Sequence, residues 1–157
     1  MPVEWVLVTN LPVQTTEQIA RVVDIYRARW TIEELFRAVK AGCGHEKLQL
    51  ENEHSLRNAL AVILPIAWQM LLLGQISRAT PDRPATAVLS ELQLKVLANN
   101  PWVKVPRKPT AREALLAIAT IGGHIKNNGD PGWQVLYAGF RDLALLELGW
   151  RARSDQS

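Results

Sequence analysis

Five side chains in the stretch Asp24–Lys40, DIYRARWTIEELFRAVK, are of types that can bind an anion or a metal ion: Tyr26, Arg29, Glu33, Arg37 and Lys40. Their spacings are three, four, four and three residues. At about 100° per residue they fall within roughly an 80° arc of a helix, which is one polar face. The cations would bind phosphates, the tyrosine hydroxyl would donate a hydrogen bond, and the single carboxylate could ligate a hard metal ion. The same residues also permit a plainer arrangement, a solvated charged face laced by the i,i+4 pairs Arg29–Glu33 and Glu33–Arg37.

Two elements must position these groups. Glu4–Leu11, EWVLVTNL, is rich in β-branched and aromatic residues and ends at Pro12, so it predicts a buried strand. A lone strand leaves N–H and C=O groups unpaired along both edges, and the chain offers it no obvious partner. Thr15 with Gln18 forms a capping box that opens a helix. Apolar residues follow at Ile19, Val22, Val23, Tyr26 and Trp30, and a second stripe runs Ile32, Leu35, Phe36, Val39 and Cys43 on another face. Thr31 with Glu34 is a second possible capping box, so a break or kink near Trp30 is allowed. A nearly continuous helix is required for the single polar face. Gly42 and Gly44 are expected to end it.

Downstream, Leu56–Leu73 is strongly apolar, with an interruption at Pro65 and Gln69. Its uninterrupted run is short for a membrane span and predicts a buried helix, kinked at Pro65. Ala79–Pro84 predicts a loop, and Ala85–Leu97 an amphipathic helix with Val88, Leu89, Leu92 and Val96 in register. Asn99–Pro109, NNPWVKVPRKP, predicts a linker whose Lys104, Arg107 and Lys108 either contact phosphates or are simply solvated. Thr110 and Glu113 form a further capping box, opening a helix that Gly122-Gly123 stops. Asp130 as N-cap and Pro131 as first helical residue predict a last helix carrying Trp133, Leu136, Tyr137, Phe140 and Leu143, with a frayed tail after Trp150. The sum is a mostly α chain, one N-terminal strand followed by about five helices.

The 157 residues suggest one folding domain, 48% hydrophobic and 21% charged, which is a globular composition. A net charge of +3 with a pI near 9.3 permits nucleic-acid binding without requiring it. One cysteine, Cys43, allows no internal disulfide and fits a reducing compartment. The three histidines, His45, His54 and His124, do not have zinc-site spacing, and no glycine-rich phosphate loop or internal repeat is present. The amino terminus lacks the basic and small-residue pattern of a signal peptide.

The pattern Tyr26, Arg29, Glu33, Lys40 resembles the signature of bacterial cut-and-paste DDE transposases of the insertion-sequence-four (Tn-five-like) family. WVLVTNLPV and the helix through Lys40 look like the last core strand and the helix bearing the third catalytic acid. IGGHIKNNGDPGWQVLYAGFRDL resembles the carboxy-terminal segment of the same family. The resemblance implies an α/β, RNase H-like core, of which residues 1–50 would be the last strand and the Glu-bearing helix. Residues 51–157 would form a helical region for core packing and dimerisation. It further implies two divalent ions, Mg2+ or Mn2+, held by two aspartates and one glutamate, with Glu33 as that catalytic, metal-binding glutamate. Tyr26, Arg29 and Lys40 would contact DNA phosphates near the transposon end, with Arg37 as an extra contact. Trp5 sits where hairpin-forming relatives place an aromatic that receives a flipped base, and it reads equally as a core tryptophan.

The sequence departs from that family in its aspartates. Asp24, Asp82, Asp130, Asp142 and Asp155 all lie in helical or loop contexts, and Asp24 points about 180° from Glu33. One carboxylate cannot hold two metals, so the chain is expected to be inactive alone. Three readings stay open. The chain is a carboxy-terminal piece of a cytoplasmic bacterial transposase that acts on DNA as part of a larger enzyme. Alternatively, it is a non-catalytic fragment that binds DNA or dimerises and inhibits intact transposase, or it is a non-functional remnant. A homodimer or pairing with full-length transposase is expected, and a membrane partner is not.

Overall fold

The computed structural model describes residues 4–42, 50–125 and 129–154. Five α-helices are present among them: α1 (Thr16–Arg37), α2 (Glu53–Ala79), α3 (Glu91–Ala98), α4 (Ala111–Ile121) and α5 (Trp133–Ser154). The chain divides into two compact units, Met1–Glu34 and Leu35–Ser157.

In the first unit the expected strand does not form. Residues 4–9 carry no regular secondary structure, residue 10 is a bend, and none belongs to a ladder among the described residues, because nothing there offers the complementary backbone edge that a strand requires. Val6 is 83% and Val8 96% exposed. The capping box that opens α1 forms as expected: the Gln18 amide donates to Thr15 Oγ1 at 3.2 Å, and the Thr15 amide donates to Gln18 Oε1 at 3.2 Å. Trp30 and Thr31 lie inside α1, so no break occurs there and Thr31 is not a cap. No residue of α1 is fully buried.

The second unit begins with the end of α1 and a π-helical turn, Ala38–Gly42. α-Helical periodicity therefore stops at Arg37, and the 100° count used to align Lys40 with Glu33 does not extend to Lys40. The expected stop at Gly44, the apolar position of Cys43 and His45 lie outside the described residues. α2 is capped by Asn52, whose Oδ1 accepts from the Ser55 amide at 2.9 Å, and it runs unbroken through Pro65. It is long and apolar enough to cross a membrane by length and composition. Its face bearing Ile63, Ala67, Met70 and Leu73 is nevertheless buried in the unit's two cores.

The larger core joins Met70 and Leu73 to Leu97 of α3, Ile118 of α4 and Leu143 of α5, all fully buried. The smaller core packs Ala38 and Val39 against Ile63 and Ala67. The segment expected as one helix over Ala85–Leu97 is split into a 3-10 turn, Ala85–Ala87, and α3, because Ser90 and Gln93 form their own capping box. Asn99–Pro109 is not a linker. Val103 and Val105 pack on the core, the Ala85 amide donates to the Pro109 carbonyl at 3.0 Å, and Pro84 and Thr110 form an isolated antiparallel bridge.

Gly122 caps α4, and Gly123 follows with φ of 89°. Asp130 does not cap α5, whose first residue is Trp133; its carboxylate instead meets Arg112 Nη2 at 2.6 Å. The tail is not frayed as far as it is described: α5 continues to Ser154, and Arg151 pairs with Glu147 at 2.8 Å.

Candidate functional site

In the first unit, α1 and the irregular segment before it bring four of the candidate side chains together. The indole of Trp5 meets the Tyr26 ring edge to face, with centroids 6.0 Å apart and an interplanar angle of 62°. The Arg29 guanidinium carbon lies 5.6 Å from the Tyr26 ring centroid, a cation–π distance. Arg29 Nη2 then reaches Glu33 Oε1 at 3.1 Å. The result is a relay of contacts, Trp5 to Tyr26 to Arg29 to Glu33, in which each of the three helical members lies three or four residues from the next.

The arrangement has distinct chemical consequences for its members. Arg29 is shared between a ring face and a carboxylate, which holds its planar fork in place. Glu33 has one oxygen engaged by that cation. Trp5 is 68% exposed, so in this chain it is not a core tryptophan. Its contact with Tyr26 leaves most of the indole open, as a base-stacking surface requires.

The remaining two candidates belong to the second unit. Arg37 is the last residue of α1 and is exposed. Lys40 is exposed and sits in the π-helical turn. The expected Glu33–Arg37 pair is not among the ion pairs of the described residues, whereas the expected Arg29–Glu33 pair is present.

A two-metal site does not fit the residues described. No group of three His, Cys, Asp or Glu side chains that could hold a metal ion occurs among them. Glu33 is the carboxylate at the relay, and its contact there is with a cation. These residues can supply one ligand to a metal but not a site.

Residues 8–68 match the family model for the transposase DDE domain. The matched span holds Tyr26, Arg29, Glu33, Arg37 and Lys40, together with the first part of α2, while Trp5 lies just upstream of it. The match supports a DDE transposase, a family that acts on DNA and uses divalent metal in general. It does not reach α3, α4 or α5.

The linear reading missed one cluster. Lys95 and Trp150 line a cavity together with Arg107 and Lys108, of which only the last two were visible as a basic patch. Residues from three separated segments leave no periodic signal, so no spacing rule could have found it.

Proposed function

We propose that this chain is the part of a cut-and-paste DDE transposase, of the insertion-sequence-four type, that carries the third catalytic acid. Residues 1–50 would complete an RNase H-like core, and residues 51–157 would pack beside it and pair two copies. Glu33 is the contributed carboxylate, with two aspartates required from elsewhere. Tyr26, Arg29, Lys40 and Arg37 would hold DNA phosphates at the transposon end, and Trp5 would stack on an unpaired base. Such a protein works in the bacterial cytoplasm.

The observation that supports this reading is the Trp5–Tyr26–Arg29–Glu33 relay, which runs from an open aromatic ahead of α1 to a tyrosine, a cation and a carboxylate on that helix. A merely solvated face would have no reason to include an indole. The contact with Arg29 presents the cation next to the acid, where a scissile phosphate would need both.

The test is nicking of supercoiled DNA by the purified chain in Mg2+ or Mn2+, beside DNA binding by anisotropy. The expected result is DNA binding without nicking. Mixed with a polypeptide that carries the two strand-borne aspartates, the chain should nick, and the Glu33→Gln variant should bind but not nick. Nicking by the Glu33→Gln mixture would overturn the assignment.

A second reading, a non-catalytic fragment that binds DNA or pairs with intact transposase, is favoured by a specific feature of the second unit. Val62 and Trp68 of α2 and Leu145 and Leu148 of α5 are large apolar side chains left open to solvent. Such groups suit an interface. Inhibition of an active transposase by added chain, with no nicking in any mixture, would select this reading.

A further inference from the structure

We propose that the second unit carries its own nucleic-acid subsite, a cavity that takes one unpaired nucleotide of a DNA strand. The cavity of about 510 Å³ is formed by α3, the loop before α4 and the end of α5. That size suits a small-molecule-sized group. It is lined by Lys95, Arg107 and Lys108, by the carboxylate of Glu91 and by the indole of Trp150. Three cations against one carboxylate favour an anion, and the indole, 40% exposed, favours a flat π-surface beside it.

The backbone that carries the cations is held by the fold. Lys95 is in the last turn of α3, where Asn99 Nδ2 donates to its carbonyl at 2.8 Å and closes the helix. Arg107 and Lys108 precede Pro109, whose carbonyl accepts from the Ala85 amide at 3.0 Å. The Ala111 amide donates to the Arg83 carbonyl at 2.7 Å. The loop is thus pinned at the point where it delivers two cations. A phosphate bound there would share its cavity with the indole, a pairing of groups that an acidic protein segment would not use. In an intact duplex the bases are stacked inward, so the occupant is an unpaired nucleotide.

This inference rests on the DNA-acting reading above, and the experiment separates their failures. The full chain is titrated by anisotropy with a labelled blunt duplex and with the same duplex carrying a four-nucleotide overhang. The expected preference for the overhang is about tenfold, the size of one base–aromatic stack. In a Trp5→Ala background, which removes the other aromatic assigned to an unpaired base, Trp150→Ala should abolish the preference. Arg107→Gln with Lys108→Gln should lower the log–log salt slope on overhang DNA by about 1.4, two single-strand phosphates. Glu91→Gln should tighten binding.

Both cation substitutions and Glu91→Gln are on exposed side chains, so the proposal remains testable if Trp150→Ala does not melt like the parent chain. Equal affinity for the two DNAs, or a preference that survives Trp150→Ala in the Trp5→Ala background, overturns the subsite alone. Failure to bind either DNA overturns both readings. Poly-glutamate that competes fully, loses affinity with the Arg107 and Lys108 substitutions and ignores Trp150→Ala would assign the cavity to an acidic protein segment and overturn the nucleotide.

Discussion

Arg29 Nη2 lies 3.1 Å from Glu33 Oε1 while the same guanidinium stands over the ring of Tyr26. Each charge is therefore partly neutralised by the other in the chain alone. The pair is well exposed, 55% for Arg29 and 39% for Glu33, so solvent screens it and its contribution to stability is only about 0.5 kcal/mol.

That weakness makes a functional prediction separable from a structural one. Glu33→Gln removes the acceptor charge and leaves Arg29 to bind phosphate, so affinity for duplex DNA should rise a few-fold with the melt unchanged. Arg29→Ala should lower the log–log salt slope by about 0.9, one duplex phosphate. Anisotropy titrations across a salt series read both. Unchanged affinity in the first variant and an unchanged slope in the second would return the relay to a solvated face.

Gly139 shows how tightly α4 and α5 approach. A Cβ placed on it would lie 2.0 Å from the Ile118 carbonyl oxygen, and one on Gly122 would lie 2.0 Å from the Val135 carbonyl oxygen. Both obstacles are backbone, so neither can be relieved by a rotamer change. Gly139→Ala should cost about 3 kcal/mol or more, the upper end for overpacking, and lower the melting temperature by roughly 2–4 °C per kcal/mol. Gly149→Ala on the same helix meets nothing within 4 Å and should be silent or slightly stabilising. A thermal melt followed by circular dichroism distinguishes them.

The helices were legible because their signals are local. Thr15 with Gln18 and Thr110 with Glu113 both form reciprocal capping boxes where the residue types alone placed them. Errors arose where a partner distant in sequence decides the outcome. Asp130 has the chemistry of an N-cap, but Arg112 captures it from eighteen residues away. Asn99–Pro109 has a linker's composition, but Val103 and Val105 are drawn onto the core and Pro109 is bonded to Ala85. Glu4–Leu11 has a strand's composition, and composition cannot supply the neighbouring edge. For the candidate site, helical spacing anticipated the Arg29–Glu33 pair. It had no means to anticipate the Trp5–Tyr26 contact, which crosses from one element to another, or the π-helical turn that holds Lys40.

Ser77 supplies a third prediction. It is buried at 3% exposure in α2, and its Oγ has no hydrogen-bond partner among the described residues. A buried hydroxyl without a partner costs about 1–3 kcal/mol in lost hydration. Ser77→Ala removes that cost and leaves a better helix former, so the melting temperature should rise by several degrees. A fall would mean that the hydroxyl is satisfied, and the account of the site would be wrong.

The irregular segment ahead of α1 carries the last prediction. Residues 4–10 pair with no strand among the described residues, and the Leu11 amide is held by the Thr9 hydroxyl at 3.0 Å rather than by a neighbouring strand. Amides without a structural acceptor exchange freely, so Val6 to Asn10 should exchange with deuterium at nearly unprotected rates in the isolated chain. Amides in the interior of α4, whose Ala114, Leu115 and Ile118 are buried, should be among the slowest. If the segment is the missing member of a larger sheet, adding the polypeptide that restores nicking should protect it by orders of magnitude. Protection should alternate along the segment if it becomes an edge strand and be continuous if it becomes a central one. Strong protection in the isolated chain would show that 4–10 already has a partner and would remove the main reason for regarding the first unit as incomplete.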